Sequence, residues 1–223
     1  MTIAAFVTDF ADQAVLVPSA IAVVIGFGAA GWYRGALAWS SVLACTWASI
    51  LLLKLACLLC GSIWVEGLHS PSGHTAGAAA AAGSFFGLIV RRQGGDWRWT
   101  FPISAGLATV IGLSRLALHV HTGLDVLVAG VVGVGGAMVL VMLAGPPPPR
   151  LRMSPIIAAL AVMVLLLHGS QASAEATIQR IAASEFWDDL KLGVPAWQGC
   201  RTHAAALCPR LERNLPPFSP SNP

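Results

Sequence analysis

The sequence is short of charge. Lysine, arginine, aspartate and glutamate make up 10% of its 223 residues, whereas 56% are hydrophobic, and the mean hydropathy is +0.74. A soluble globular domain carries roughly 25% charged residues, so this composition excludes a large soluble core and places the chain in lipid. From residue 35 to residue 90 the only lysine or arginine is Lys54. The formal net charge of +3 is small and scattered. Without a basic stretch interleaved with aromatics, a nucleic-acid partner is excluded as well. Cysteine is scarce, and the Cys57/Cys60 CxxC lies in an apolar run. Thiols there behave as small hydrophobes, so metal or redox duty is not expected of them.

What is present is a series of long apolar runs. They predict an all-α, polytopic membrane bundle of about six spans, at about 15–33, 36–59, 74–90, 101–119, 124–144 and 154–172. The third is short for a spanning helix. Turns are expected at Gly94-Gly95 and at the Gly145–Pro149 run. Arg34, then Arg91, Arg92 and Arg98, then Arg150 and Arg152 fall in alternate connections, which the positive-inside rule makes cytoplasmic. The N-terminus, the 60–73 loop, the turn near 119–124 and everything after 172 then lie outside. This gives a multi-pass protein of the cell (inner) membrane with its polar motifs on the periplasmic face. Gly83 and Gly87, with Ala79 before them, and Gly130, Gly133 and Gly136 supply small residues for close helix packing. Trp32, Tyr33, Trp64, Trp97 and Trp99 sit near span ends as belt residues. Residues 1–173 form the membrane-embedded domain, and 174–223 an extracytoplasmic tail in which Cys200 and Cys208 are candidates for a disulfide. The stretch from Arg150 to Ala174 also reads as a secretory signal ending Ala172-Ser173-Ala174, with cleavage after Ala174 as the second reading beside a plain sixth span.

Two polar segments interrupt this pattern. The first is Ser70-Pro71-Ser72-Gly73-His74, at the mouth of the third span. Ser70 followed by Pro71 reads as a helix start, whose N–H groups and positive dipole end suit an anion. Gly73 permits close backbone approach. The second is Ser114-Arg115, followed by His121 and Asp125. At about 1.5 Å per helical residue, the stretch between the segments goes down one helix and back up another, returning Arg115 and His121 to the face that carries Ser72 and His74. His121 and Asp125 are four apart, so the carboxylate is placed to accept a hydrogen bond from the imidazole and leave its other nitrogen free to attack. His119 is off that face. Arg115 offers a planar fork to phosphate oxygens. Lys54 reads either as a further phosphate-binding cation or as a lysine snorkelling from the second span.

The Pro71–His74 motif and the Ser114-Arg115…His121…Asp125 motif resemble the second and third signatures of the type 2 phosphatidic acid phosphatase (PAP2) superfamily, over roughly residues 50–145. The resemblance implies a nucleophile at His121, an acid at His74 that protonates the leaving oxygen, and an orienting carboxylate at Asp125. It also implies phosphate contacts from Lys54, Ser72, Gly73 and Arg115, with no metal and no cofactor. The implied activity is removal of a terminal phosphate from an amphipathic lipid phosphate or diphosphate through a phospho-histidine. Undecaprenyl diphosphate, phosphatidylglycerol phosphate, phosphatidate and lipid A are the kinds of substrate implied. A phosphotransferase using the same intermediate, a haloperoxidase and a non-enzymatic lipid-phosphate binder are the alternatives. The chain departs from the family's first signature, a lysine followed seven residues later by Arg-Pro: Lys54 matches, but Gly61 and Ser62 stand where Arg and Pro are expected.

Overall fold

A computed structural model describes residues 2–60, 67–170 and 178. The expectations at Gly61, Ser62, Trp64, the Ala174 cleavage point, Cys200 and Cys208 lie outside the described residues. Seven α-helices occur among those described: α1 (Ile3–Asp9), α2 (Gln13–Ala29), α3 (Tyr33–Cys60), α4 (Gly73–Arg92), α5 (Thr100–Ala117), α6 (Gly123–Ala144) and α7 (Met153–Leu167). Five stretches are long and apolar enough to cross a membrane: Ile3–Ala29, Tyr33–Cys57, Gly73–Arg92, Trp97–Ala117 and Gly123–Ala144. The sixth expected span is the shorter α7, of 15 residues, against the roughly 20 that a perpendicular crossing needs. The third span is longer than expected. Its 20 residues run through Arg91 and Arg92, whose charges suit the negative end of the helix dipole.

Helix α4 is the hub. Within its span 67% is buried, against 28–39% in the other four, and Ala76, Ala79 and Ala80 are wholly inaccessible. In lipid there is little hydrophobic push between helices, so contact depends on how closely backbones can approach. The glycines set that approach. A Cβ on Gly83 would strike the Ser104 side chain, and one on Gly87 would strike Thr100, which seats α5 on α4. A Cβ on Gly133 would lie 2.6 Å from the Ala76 carbonyl oxygen, and one on Gly136 would strike Thr46, which seats α6 between α4 and α3. Helix α7 packs instead on α2, where Ile156 covers Gly26.

The two ends of the bundle are chemically different. At one end, arginines donate to carbonyls in the last turn of α6: Arg34 Nε to Leu143 at 2.8 Å, and Arg91 to Val141 at 2.6 Å, which also accepts from the Gly145 N–H. Arg92 donates to Pro148 in the following turn, at 3.1 Å. Gly94 and Gly145 take positive φ at the two expected turns. At the opposite end lie Ser72, His74, Arg115, His121 and Asp125. Tyr33 and Trp99 are 74% and 60% exposed, as belt residues would be, but Trp32 is buried, its ring 4.7 Å from that of Phe27. Gly35 makes room for that indole, since a Cβ there would collide with it.

Gly133 and Gly135 test the packing account. Gly133→Ala forces α6 off the Ala76 backbone and is expected to destabilise by about 1–3 kcal/mol. Gly135→Ala, which meets nothing within 4 Å, should be neutral or gain up to about 1 kcal/mol from helix propensity. Unfolding midpoints of the two variants in one detergent check the difference; equal effects would contradict it.

Candidate active site

Asp125 is where the two polar segments meet. It is the third residue of α6 and is 2% exposed. Thr122 caps the helix, its hydroxyl accepting from the Asp125 N–H at 3.2 Å, while Asp125 Oδ2 accepts from the Thr122 N–H at 3.0 Å. This is a reciprocal capping box. The other carboxylate oxygen reaches across to the chain before α4. Asp125 Oδ1 accepts from the N–H groups of His69, at 2.9 Å, and Ser70, at 2.8 Å. The Asp125 backbone carbonyl accepts from the Ser72 N–H at 3.3 Å, and the Thr122 hydroxyl donates to the Gly67 carbonyl at 2.9 Å. A buried carboxylate is tolerable when N–H donors replace its water, and here three of them do.

The cap of α4 is Ser72 rather than the expected Ser70, whose N–H is held by Asp125 and whose hydroxyl caps nothing among the described residues. Ser72 is wholly buried, and its Oγ accepts from the Thr75 N–H at 3.3 Å and the Thr75 hydroxyl at 3.0 Å. The Ser72 hydroxyl is therefore engaged in capping. The N–H groups of Gly73 and His74 have no partner among the described residues. A Cβ on Gly73 would touch only Gln13, at 3.8 Å, so the helix end in front of it is open.

The two imidazoles stand at this end, each beside a carboxylate. The His121 side chain is 8% exposed, with Nδ1 3.9 Å from Asp125 Oδ2. The spacing predicts a hydrogen bond here. The structure has the ring at a longer approach instead, while backbone N–H groups bind both carboxylate oxygens. His121 Nδ1 and Ser70 Oγ are buried without a hydrogen-bond partner among the described residues, which leaves polar capacity facing the site. Burial lowers the His121 pKa from its ordinary value, and the nearby charges of Arg115 and Lys54 lower it further. Asp125 and the Ser70 backbone act in the opposite direction. Lys54 is buried within the bundle at 5% exposure, so it does not snorkel from the second span. His74 Nε2 lies 3.3 Å from Asp12 Oδ2. The charge of Arg115 acts on His74 as it does on His121.

His119 has a different task. It is exposed, with φ of 55°, and accepts a left-handed backbone that ends α5. Its N–H donates to Leu116, and the Val120 N–H donates to Arg115, at 2.9 and 3.3 Å. This Schellman pattern turns the chain so that His121 swings back over the site. The sequence reading missed the N-terminal contribution. Thr8 on α1 bonds to Ser114 at 2.7 Å, docking α1 beside Arg115, and Asp12 follows at the α2 N-cap. The signal was an aspartate ahead of an apolar run, which reads as a cap and nothing more.

Comparison with known proteins decides the family. The PAP2 superfamily model matches residues 56–147. An uncharacterized 22.5 kDa protein in the cps region of Klebsiella pneumoniae is 32% identical over 187 residues, covering 80% of this chain and 89% of that protein. The chain belongs to the PAP2 superfamily. No solved structure matches it. The PAP2 match contains His74, Arg115, His121 and Asp125 but begins after Lys54 and excludes Asp12. PAP2 membership implies a phosphatase-type enzyme, here a multi-pass membrane protein.

Asp125→Ala leaves three part-buried N–H groups without an acceptor. It should destabilise by roughly 3 kcal/mol or more, whereas His119→Gly, which suits positive φ, should be neutral or stabilising. Thermal midpoints of the purified variants check both; a harmless Asp125→Ala would show that the loop is held by something else.

Proposed function

We propose that the protein removes the terminal phosphate of a lipid phosphate or diphosphate through a phospho-histidine on His121. The observation that carries this reading is the convergence of two imidazoles at one open helix end, each beside a carboxylate and within the field of Arg115. With Nδ1 turned to Asp125, His121 Nε2 is the nitrogen that attacks phosphorus. As the P–N bond forms, the P–O bond to the lipid breaks and His74 delivers a proton to the leaving oxygen. Water then attacks the phospho-histidine. His74, now neutral, takes a proton from that water, the P–N bond breaks, and inorganic phosphate leaves. The charges of Arg115 and Lys54 and the open N–H groups of Gly73 and His74 offset charge building on the phosphoryl oxygens. Ser72 contributes by holding that helix end in place rather than through its own hydroxyl.

The site would lie at headgroup depth, facing the periplasm, with the arginine-rich end cytoplasmic. Five apolar spans around a polar mouth favour an amphipathic substrate over a soluble one. Residues 1–173 would then be the catalytic domain and 174–223 an appended tail.

Phosphate release from a panel of lipid mono- and diphosphates, with and without an acceptor lipid, tests the reading. His121→Ala should abolish release and the acid-labile phosphate trapped on rapid quench; normal turnover in that variant would overturn the assignment. The pH dependence follows from the lowered His121 pKa. Attack needs neutral imidazole, so the acid limb of kcat/KM should lie below the ordinary value of about 6.5. In Arg115→Gln, which removes one of the depressing charges, the limb should move to higher pH. A limb unmoved in that variant would contradict the electrostatic account.

A further inference from the structure

We infer that Asp12, outside the PAP2 match, is a positioning residue that makes His74 an effective proton donor. This rests on the reading above, in which His74 supplies the proton to the leaving oxygen. Asp12 sits in the short turn between α1 and α2 and is 6% exposed. Its two carboxylate oxygens face different ways. Oδ1 accepts from the Ala14 N–H at 2.8 Å and so caps α2, while Oδ2 lies 3.3 Å from His74 Nε2. The turn is fixed from both sides. On one side Thr8 bonds to Ser114, the residue before Arg115. On the other, the His168 ring contacts Phe6 and Phe10 at 4.6 and 4.5 Å, and its Nε2 lies 3.1 Å from the Phe6 carbonyl oxygen.

The chemistry follows from which nitrogen is held. With Nε2–H donated to Asp12, Nδ1 is the position that gives its proton to the leaving oxygen. The carboxylate balances the cationic ring before transfer and keeps Nε2–H in place afterwards, so one tautomer returns to take a proton from water. The other charged or titratable groups around His74 are Arg115 on α5 and His121 in the α5–α6 connection. Asp12 thus stands to His74 as Asp125 stands to His121, and the family's second signature is completed by a residue some sixty positions upstream.

Asp12→Asn and Asp12→Ser test this on the full-length protein, because both residues are good N-caps and keep α2 closed. Asparagine must use its oxygen for the cap and present an amide N–H to Nε2, reversing the tautomer. Serine is too short to reach the ring. In variants with unchanged thermal midpoints, kcat on a lipid monophosphate should fall roughly ten- to a hundredfold with KM little changed. The loss on a lipid diphosphate, whose leaving group needs less protonation, should be only a few-fold. Proton NMR of the detergent-solubilised protein supplies a readout independent of turnover. A hydrogen-bonded imidazole N–H resonance, assigned by its loss in His74→Gln, should vanish in both Asp12 variants. Equal losses on the two substrates, no loss, or a resonance that survives in the variants would overturn the inference. If wild-type protein released no phosphate from any lipid, the phosphatase reading would fall, while the resonance would still decide the Asp12–His74 pair.

Discussion

The carboxylate of Asp125 is the constraint on which the site depends. It closes the N-terminus of α6 through Thr122 and, with its other oxygen, holds the His69 and Ser70 N–H groups of the chain that leads into α4. Two helices separated by a full descent and return through the bundle are thereby locked end to end. Because the side chain is buried, its bonds are not diluted by water, and any N–H left behind would carry its whole desolvation cost. The same grip fixes the chain just before α4, at the helix end whose N–H groups remain open, and sets a negative charge near His121. An acid read from spacing as an orienter of histidine is first of all the joint that builds the site.

The bundle supplies that joint with something rigid to hold. Small residues on α4 let α3, α5 and α6 close against it, so the polar end is carried on backbones in near contact rather than on long side chains. The far end is tied by arginines to carbonyls in the last turn of α6 and to the turn after it. A third layer, the α1–α2 turn, folds over the polar end and adds Asp12. Each of the two imidazoles therefore stands beside its own carboxylate, Asp125 four residues on for His121 and Asp12 far upstream for His74, with Arg115 acting on both.

Much of this was legible in the sequence, and the physical reason differs from element to element. The spans were legible because lipid demands uninterrupted apolar length, and the arginine-bearing end because alternate connections repeat its charge. The convergence of His74 with His121 and Asp125 followed from helix rise alone. What was not legible depended on tertiary competition. Ser70 is an ordinary cap signal, yet Ser72 caps α4 while Asp125 holds the Ser70 N–H. The His121–Asp125 spacing permits a hydrogen bond, but the carboxylate is turned to backbone donors and lies 3.9 Å from the ring nitrogen. Trp32 sits at a helix start like a belt residue, yet the space beside Gly35 draws it into the core. Asp12 carries no local mark of its partner, since a capping aspartate and one that also holds a histidine are identical in sequence.

The most direct measurement of the central claim is amide hydrogen exchange of the wild-type protein at His69 and Ser70. Both residues lie in an irregular connection between helices, where exchange is ordinarily fast. If Asp125 holds them as described, their amides exchange slowly, at rates approaching those of the α4 interior. Exchange of the His69 and Ser70 amides at the rate of an unprotected loop would contradict the account, for then the carboxylate would not join the two halves of the site.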